Sequence, residues 1–500
     1  MTTALHTPQE AARWLRARVH GVLQTDSRKV QPGDGFIAWP GAATDGRRFV
    51  AAALAQGARA CVVEREGVEA FGFDRAEIAS CVQLKATTGP IADAYYESPS
   101  RALDVLAITG TNGKTSSAWW LAWALDQLEA QGLAPSALVG TLGVGRPDEL
   151  EYTGLTTPDP VLLQRRLREF VDGGVKSCVM EASSIGIAEH RLDGTQIRVA
   201  VFTNFTQDHL DYHGSMEAYW AAKASLFDWP SLQAAVINVD DPRGAWLVDQ
   251  ACGRGLDVWT VSLRQAARLQ AEAVRYDARG LCWTLREGAE AVAMSSRMVG
   301  EYNVANLLGV VGALRALGVS LTDAAAACAE LPPVPGRMER IEQPGGPLAV
   351  IDYAHTPDAL DKVLAALRPF SQQRGGQLWC VFGCGGNRDA RKRPLMAAAA
   401  QAGADRIVIT SDNPRDEDPQ AIIEAIRAGI TRADGVLIEP DRARAIHAAL
   451  TQADARDLVL IAGKGHEDYQ ETHGERRPFS DQAQAREGLM ARARRTEAAA

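Results

Sequence analysis

Residues 103–130, LDVLAITGTNGKTSSAWWLAWALDQLEA, decide how this chain folds. LDVLAIT reads as a short strand buried on both faces, and SAWWLAWALDQLEA reads as a helix. Between them lies GTNGKTS, from Gly110 through Thr111, Asn112, Gly113, Lys114 and Thr115 to Ser116. A turn between strand and helix leaves backbone N–H groups unpaired at the positive end of the helix dipole, where phosphate is stabilised. Lys114 adds a cation for terminal phosphates, and the Thr115 hydroxyl suits Mg²⁺. Ile108 stands where a full GxxxxGK spacing has glycine, so this is a shortened nucleotide loop. The alternative is a plain strand-to-helix turn.

Working outward, strands are expected at 177–181, 199–203 and 234–238, each short, apolar and bounded by turn or charged residues. A helix is expected after Pro160, with Leu163, Leu167, Phe170 and Val171 on one face and Gly173 as its stop. Beyond the Pro/Gly-rich LPPVPGRMER (331–340), strands are expected at 348–352, 378–382, 406–410, 436–439 and 457–462. Helices between them start after Thr356-Pro357, Pro394, Pro419 and Asp441, which makes a Rossmann-like, doubly wound domain. At the amino end Thr7, Pro8 and Glu10 form a capping box with proline at N1, followed by the loop-rich TDSRKVQPGDGFIAWPGAATDGRRF (25–49) of a small α/β module. The expectation is an α/β chain with mainly parallel sheets in three domains, 1–99, 100–333 and 334–500. The alternative is one oversized sheet across 100–500.

Composition sets the outer limits. Five hundred residues, 46% hydrophobic and 23% charged, describe ordinary globular domains. The net charge of −9 argues against sequence-independent binding of nucleic acid. No stretch approaches the ~18 apolar residues of a membrane helix. The first twenty residues mix Glu10 with arginines and have no apolar core, so the protein is expected in the cytoplasm without a signal peptide. The eight cysteines form no CxxC pair and are expected as reduced thiols, with Cys380 and Cys384 on a buried strand and its following loop.

Ligands of parallel sheets bind at the carboxyl ends of the strands. There sit MEASS (180–184) and FTNFTQDHLDYHG (202–214), so Glu181 and His209 are expected to face the nucleotide loop and to suit Mg²⁺. Otherwise Glu181 caps a helix and His209 bonds within its loop, while His213 orders that loop. Lys223, in MEAYWAAKASLF (216–227), reads by itself as a solvated lysine on an amphipathic helix. In the carboxyl-terminal third GCGGNRD (383–389), DNPR (412–415) and GKGHE (463–467) follow successive strands and converge on one crevice, where arginine forks suit carboxylates.

Together these motifs resemble the Mur ligases, ATP-dependent amide-forming enzymes of peptidoglycan synthesis. The resemblance spans nearly the whole chain and also rests on YWAAK (219–223), GEYNVAN (300–306), PGRMER (335–340), DYAHTPD (352–358), GCGGNRDARKRP (383–394) and GKGHEDYQ (463–470). It is strongest toward the member that adds meso-diaminopimelate to the D-glutamyl γ-carboxylate of UDP-MurNAc-L-Ala-D-Glu through an acyl phosphate. It implies ATP contacts at Gly110–Ser116, Asn303, Asn306, Arg337, Asp352 and His355. Contacts to the UDP-muramoyl dipeptide are implied at Thr25, Ser27, Ala42, Ala43, Thr44, Thr156, Thr157, Ser183, Glu189 and Arg191, with Glu189 standing where the family pattern has glutamine. For diaminopimelate it implies Arg388, Asp412, Asn413, Pro414, Arg415, Gly463 and Glu467. Catalysis falls to Lys114, Glu181, His209 and Lys223, and Mg²⁺ to Thr115, Glu181, His209 and Lys223, the lysine carbamylated by CO₂ to N6-carboxylysine. The implied enzyme is a cytoplasmic monomer with no nucleic-acid or membrane partner, active in cell-wall synthesis and so in cell shape and division. Other readings are a lysine-adding ligase, a folylpolyglutamate synthetase, which the DSR and DNPR motifs oppose, and a nucleotide-dependent switch.

Overall fold

The computed structural model describes residues 2–41, 44–277 and 280–499. The chain forms two compact units, one of Met1–Glu272, Thr284–Met294 and Ala305–Leu331, the other of Ala273–Trp283, Ser295–Val304 and Pro332–Ala500.

The first unit opens with strands β1 (Thr3–Leu5), β2 (Leu23–Gln24), β3 (Gly35–Ala38), β4 (Ala60–Glu64) and β5 (Ile78–Cys81), paired in parallel in the order β1-β5-β4-β3-β2. The helix Pro8–Arg16 starts as expected, with Thr7 Oγ1 accepting the Glu10 N–H at 3.1 Å. Glu10 reaches back one residue further than a capping box prescribes, to the His6 N–H at 2.8 Å. Val161, from the helix Pro160–Asp172, belongs to the core of this sheet. Gly89 approaches the Asp193 carbonyl so closely that a Cβ would lie 2.1 Å from it. The amino-terminal sheet is therefore packed firmly onto the residues that follow.

Strands β6 (Asp104–Thr109), β7 (Ser136–Gly140), β8 (Gly143–Arg146), β9 (Glu149–Glu151), β10 (Ser177–Glu181), β11 (Val199–Phe202), β12 (Ala234–Asn238) and β13 (Asp257–Ser262) run in the order β13-β12-β11-β6-β10-β7-β8-β9. Strands β14 (Leu269–Asp277), β15 (Gly280–Glu287) and β16 (Glu290–Ser296) continue beyond β13. The sheet is parallel from β7 to β13, and β8 and β9 return antiparallel. The strand that leads into the glycine loop, β6, lies between β11 and β10, so its carboxyl end opens where the strand order reverses. The expected helix at 117–130 begins three residues earlier and covers Lys114–Asp126, which places Lys114 and Thr115 in its first turn. In Pro160–Asp172 the Asp159 carboxylate caps the Val161 and Leu162 N–H groups, Leu163, Leu167 and Phe170 are buried, and Gly173 is the C-cap, as the pattern predicts.

The second unit holds β17 (Glu339–Ile341), β18 (Leu348–Asp352), β19 (Leu378–Phe382), β20 (Arg406–Ile409), β21 (Val436–Ile438) and β22 (Leu458–Ala462), in the order β17-β18-β22-β19-β20-β21. Only β17 is antiparallel, and β23 (Tyr469–Thr472) with β24 (Glu475–Pro478) forms a separate hairpin. The five expected strands are present to within one residue at each end; β17 and the hairpin lack the apolar runs that mark the others. Strand β22 starts after Asp457 because that carboxylate turns to accept from the Gln377 N–H and the Trp379 indole at 2.7 and 2.9 Å. The helix expected after Pro394 begins at Lys392. Proline fits a first turn, where its missing N–H costs no hydrogen bond. Apolar clusters cover both faces of this sheet, so the 100–500 segment is not one sheet. All eight cysteines are free thiols, with Cys380 and Cys384 buried.

Candidate active site

The loop after β6 is shaped by two glycines. At Gly110 (φ +146°) a Cβ would lie 1.9 Å from Thr203 Oγ1, and at Gly113 (φ +85°) it would lie 2.3 Å from Asn306 Oδ1. Both are backbone conformations that side chains disfavour. The loop is held from the side by the segment after β11. Thr111 N–H donates to the Asn204 carbonyl at 2.8 Å and Asn112 N–H to Asn204 Oδ1 at 3.0 Å. Thr203 Oγ1 and Asn204 Nδ2 donate to the Asn112 carbonyl at 2.6 and 3.0 Å. Thr111 Oγ1 meets the Tyr219 hydroxyl at 3.1 Å.

Two lysines enter this loop. Lys114 Nζ donates to the Gly110 and Thr111 carbonyls, both at 2.9 Å. Lys223 does not extend into solvent as its sequence suggested: it is 1% exposed, donates to the Gly110 carbonyl at 2.6 Å and lies 4.6 Å from the centre of the Tyr219 ring. Burial is the main cause that lowers the Lys223 pKa well below that of an ordinary lysine, and the Lys114 charge adds to it. The helix of YWAAK is apolar on the face that carries Lys223, which buries the amine against the loop.

Glu181, at the end of β10, is 1% exposed. Its two oxygens are divided between the Thr115 hydroxyl at 2.9 Å and the Thr141 N–H at 2.7 Å. The capping role that was an alternative for Glu181 belongs to Ser183, which accepts from Gly186 N–H at 3.0 Å. Thr157 Oγ1 donates to the Glu181 carbonyl at 2.7 Å and meets Ser183 Oγ at 3.0 Å. Thr156 meets Thr141 at 3.0 Å, and Arg191 holds the Thr157 carbonyl at 2.9 Å. Glu189 is engaged by Lys85 at 2.9 Å and by the Tyr212 hydroxyl. The His209 ring lies 6.0 Å from that of Tyr219. Burial lowers the His209 pKa, with the charges of Lys114 and Lys223 acting in the same direction. His213 orders its loop as expected, bonding Ser184 Oγ at 3.0 Å.

Among the described residues no three His, Cys, Asp or Glu side chains converge on a cation. Mg²⁺ needs no such cage, since one or two protein oxygens suffice beside water and phosphate. The Thr115–Glu181 pair is a hard-oxygen donor set of that kind.

Gly110–Ser116, Glu181, Thr156, Thr157, Ser183, Arg191 and Lys223 are thus linked by contacts in one cluster. Asn306 joins it at Gly113. Thr25 and Ser27 lie around β2, where Asp26 caps the turn Ser27–Lys29, and the Thr44 carbonyl accepts from Gly41 N–H at 2.9 Å. Among the described residues no hydrogen bond or ion pair ties these three to the cluster. Ala42 and Ala43 lie outside the described residues.

In the second unit the Arg337 guanidinium lies over the Tyr353 ring at 4.3 Å, and the rings of His355 and His466 flank the same tyrosine at 4.7 and 5.4 Å. Asp352 accepts from the Met338 and Ala354 N–H groups, each at 2.8 Å, and burial raises its carboxyl pKa against the pull of Arg337. Asn303 Nδ2 donates to the Val299 carbonyl at 2.7 Å.

The three converging loops meet as expected. A Cβ on Gly385 would lie 2.8 Å from Arg415 Nη1 and 3.8 Å from Arg388 Cγ, so both arginines flank one bare backbone position. Arg415 (φ +51°) donates to the Gly386 carbonyl at 2.7 Å, and its backbone bonds that of Glu471 and His473. Asn413 Nδ2 donates to Glu467 Oε2 at 2.8 Å. A Cβ on Gly463 would lie 2.6 Å from Asp412 Oδ2.

Sequence reasoning missed Thr141, Tyr219, Lys464 and the Arg442–Asp481 pair, which supports the loops from below. Arg442 Nη2 and Nε bind Asp481 at 2.7 Å each, and its other contacts reach the Ser411 and Ala462 carbonyls, directly ahead of DNPR and GKGHE. Lys464 stood inside a recognised motif, but nothing in its neighbours' sequence marked it as buried.

The Mur ligase middle domain matches residues 108–314, the Mur ligase glutamate ligase domain 336–465, and the Mur ligase family catalytic domain 18–94. The chain belongs to the Mur ligase family. This ligase is 60% identical, over 98% of its length and 99% of the relative's, to the UDP-N-acetylmuramoyl-L-alanyl-D-glutamate–2,6-diaminopimelate ligase of Acidovorax sp. (strain JS42). A solved structure of a protein of that same name matches the ligase with 37% identity and a TM-score of 0.66, covering 94% of this chain and 95% of the other. The folylpolyglutamate synthase of Mycobacterium tuberculosis, at 20% identity and a TM-score of 0.61 over 76% of this chain and 92% of the other, shares the fold alone. As a Mur ligase the protein is an amide-forming, ATP-dependent enzyme of peptidoglycan synthesis. Among the described residues no helix is long and apolar enough to cross a membrane.

Proposed function

We propose that this ligase joins meso-diaminopimelate to the D-glutamyl γ-carboxylate of UDP-MurNAc-L-Ala-D-Glu, releasing ADP and phosphate. One observation carries the choice of amino acid: Arg388 and Arg415 flank Gly385 while Glu467 stands bonded to Asn413 on the adjoining loop. Two guanidinium forks and a carboxylate match a substrate with two carboxylates and a spare ammonium better than they match lysine.

The γ-carboxylate attacks the γ-phosphorus of ATP, giving an acyl phosphate and ADP. An amine of diaminopimelate then attacks the acyl carbon, and phosphate leaves from the tetrahedral intermediate. Such phosphoryl transfer is served by positioning and charge neutralisation. Backbone N–H groups of Gly113–Ser116, at the start of the helix, bind the phosphates, and Lys114 turns from its loop carbonyls to the transferring group. Thr115, Glu181, His209 and a carbamylated Lys223 would hold Mg²⁺, which supplies charge neutralisation for phosphate oxygens when bound. Thr156, Thr157, Ser183, Glu189 and Arg191 orient the muramoyl dipeptide, and Thr25, Ser27, Ala42, Ala43 and Thr44 its uridine end. Asn303, Asn306, Arg337, Asp352 and His355 contact ATP. Asp412, Pro414 and Gly463 shape the walls of the amino-acid pocket. In this reading 1–99, 100–333 and 334–500 divide the work between UDP-sugar, ATP and amino acid. The ligase acts in the cytoplasm as a monomer, with no nucleic-acid or membrane partner, in a step on which cell shape and division depend.

ADP release tests the reading. Steady turnover to ADP is expected only when UDP-MurNAc-L-Ala-D-Glu and diaminopimelate are both present, and steady turnover lacking one of them would overturn the ligase chemistry. Sites that demand a particular polar group reject an analogue lacking it by ~10⁴-fold or more. Equal kcat/KM for lysine and diaminopimelate would overturn the choice of amino acid, as would an Arg415→Ala enzyme that keeps the full preference.

A further inference from the structure

Lys464 is fully buried in the second unit, at 0% exposure. Its ammonium donates to Asn413 Oδ1 and to Glu467 Oε2, both at 3.0 Å, and lies 5.4 Å from the centre of the Tyr469 ring. Asn413 closes the triangle, its Nδ2 donating to Glu467 Oε2 at 2.8 Å and its Oδ1 accepting the Glu471 N–H at 3.0 Å. The amide is therefore fixed in one orientation by two donors on one side and a carboxylate on the other. Glu467 spends Oε2 on this triangle, while Oε1 has no hydrogen bond among the described residues and the side chain stays 17% exposed. One carboxylate oxygen is held and the other is presented.

From this arrangement we infer that Lys464 is a specificity-determining residue, which sets the charge of the amino-acid pocket and aims Glu467 without touching the substrate. The inference rests on the diaminopimelate reading above. Lys464 and Glu467 cancel as charges, so Oε1 offers a local ammonium acceptor in a pocket whose remaining charge comes from Arg388 and Arg415. That combination suits an end group carrying ammonium and carboxylate side by side. Without the buried cation, Glu467 would attract any ammonium and repel an adjacent carboxylate, which favours the distal end of lysine over that of diaminopimelate. A buried, nearly neutral pair thus acts chiefly against the wrong substrate, as selective sites commonly do.

Kinetics of the full chain with both amino acids test this. Lys464→Met keeps the side-chain volume and removes the charge. We expect the ratio of kcat/KM for diaminopimelate over lysine to fall about tenfold or more, through the KM for the amino acid, with the KM for ATP and for UDP-MurNAc-L-Ala-D-Glu within about twofold of wild type. A ratio unchanged in the variant overturns the inference, and so does an equal rise in all three KM values, which marks a structural role only. If Lys464→Met is insoluble, Lys464→Met in a Glu467→Gln background leaves no unpaired carboxylate and is read against Glu467→Gln alone. Because Lys464 acts by offsetting and aiming the Glu467 carboxylate, little further fall is expected there, and a fall as large as that expected of Lys464→Met alone overturns the inference. Failure of the underlying reading is separate, because it shows as a wild-type enzyme with no preference at all.

Discussion

Lys114 and Lys223 donate to one and the same acceptor: their ammonium groups reach the Gly110 carbonyl at 2.9 and 2.6 Å. Two cations on one carbonyl in a closed space cannot both be comfortable. Lys223, the more deeply buried, has its charged form disfavoured by burial first and by Lys114 second. A neutral amine is what CO₂ requires, and the product carbamate changes a repelled cation into an anion facing Lys114. Labelled CO₂ is expected to be trapped on Lys223, and Lys223→Ala to lose most activity while remaining folded. No label on Lys223, or full activity of the alanine variant, would contradict this. Lys114→Ala is likewise expected to abolish turnover without unfolding, and near-normal ligation by that variant excludes its phosphate role.

Gly140 is expected to be intolerant of any side chain for a chemical rather than a conformational reason. A Cβ there would lie 2.4 Å from Glu181 Oε1, the oxygen that accepts the Thr141 N–H. Gly140→Ala should displace the carboxylate from Thr115 and lower kcat by about 100-fold, the scale of an ångström-sized misplacement, with little change in thermal midpoint. Unchanged kcat in a folded Gly140→Ala enzyme would count against Glu181 as a positioned ligand.

The Arg442–Asp481 pair has both side chains fully buried. Removing one partner strands a charge, so Asp481→Asn or Arg442→Met should destabilise the protein by about 3–5 kcal/mol. The double variant Arg442→Met/Asp481→Leu should recover part of that loss, because no lone charge remains. Denaturant unfolding of the three proteins measures it, and additive losses would refute the explanation.

His466 ties stability to pH. Burial, then the charges of Arg337 and Lys464, lower its pKa from 6.5 to about 4. The unfolded chain therefore binds a proton on His466 between pH 6.5 and 4 that the folded chain refuses, and stability falls as pH falls through that window. The full shift corresponds to ~3 kcal/mol. The thermal midpoint of wild type should drop relative to that of His466→Gln between pH 7 and 4.5, and parallel curves would dismiss the assignment.

Much of this molecule is local. Apolar runs closed by Gly, Pro or Asp read as strands at that length, and GTNGKTS after such a run reads as a phosphate loop because the first turn of a helix leaves N–H groups without partners in the helix, beside a lysine. Strands β6, β10, β11 and β12 of the first large sheet and β18–β22 of the second, the helix starts at Thr7, Asp159 and Thr356, and the candidacy of Lys114, Glu181 and the three carboxyl-terminal loops follow from short-range rules of that kind, whereas β7–β9 and β13–β17 are not marked by them.

What neighbours in sequence do not determine is burial and pairing across distance. By its helix Lys223 is a solvated lysine, and it becomes a buried amine only because the packed helix carries it to the Gly110 carbonyl. Lys464 is one letter of a motif until the loop holding Asn413 folds against it. Arg442, at the start of the helix Arg442–Gln452, and Asp481, at the start of the helix Asp481–Ala499, meet only when these helices pack beside β20 and β22. Local sequence marks the most apolar strands, the capped helix starts and the glycine loop; packing sets which charges lose their water, because desolvation depends on everything that packs around a group and not on the residues beside it.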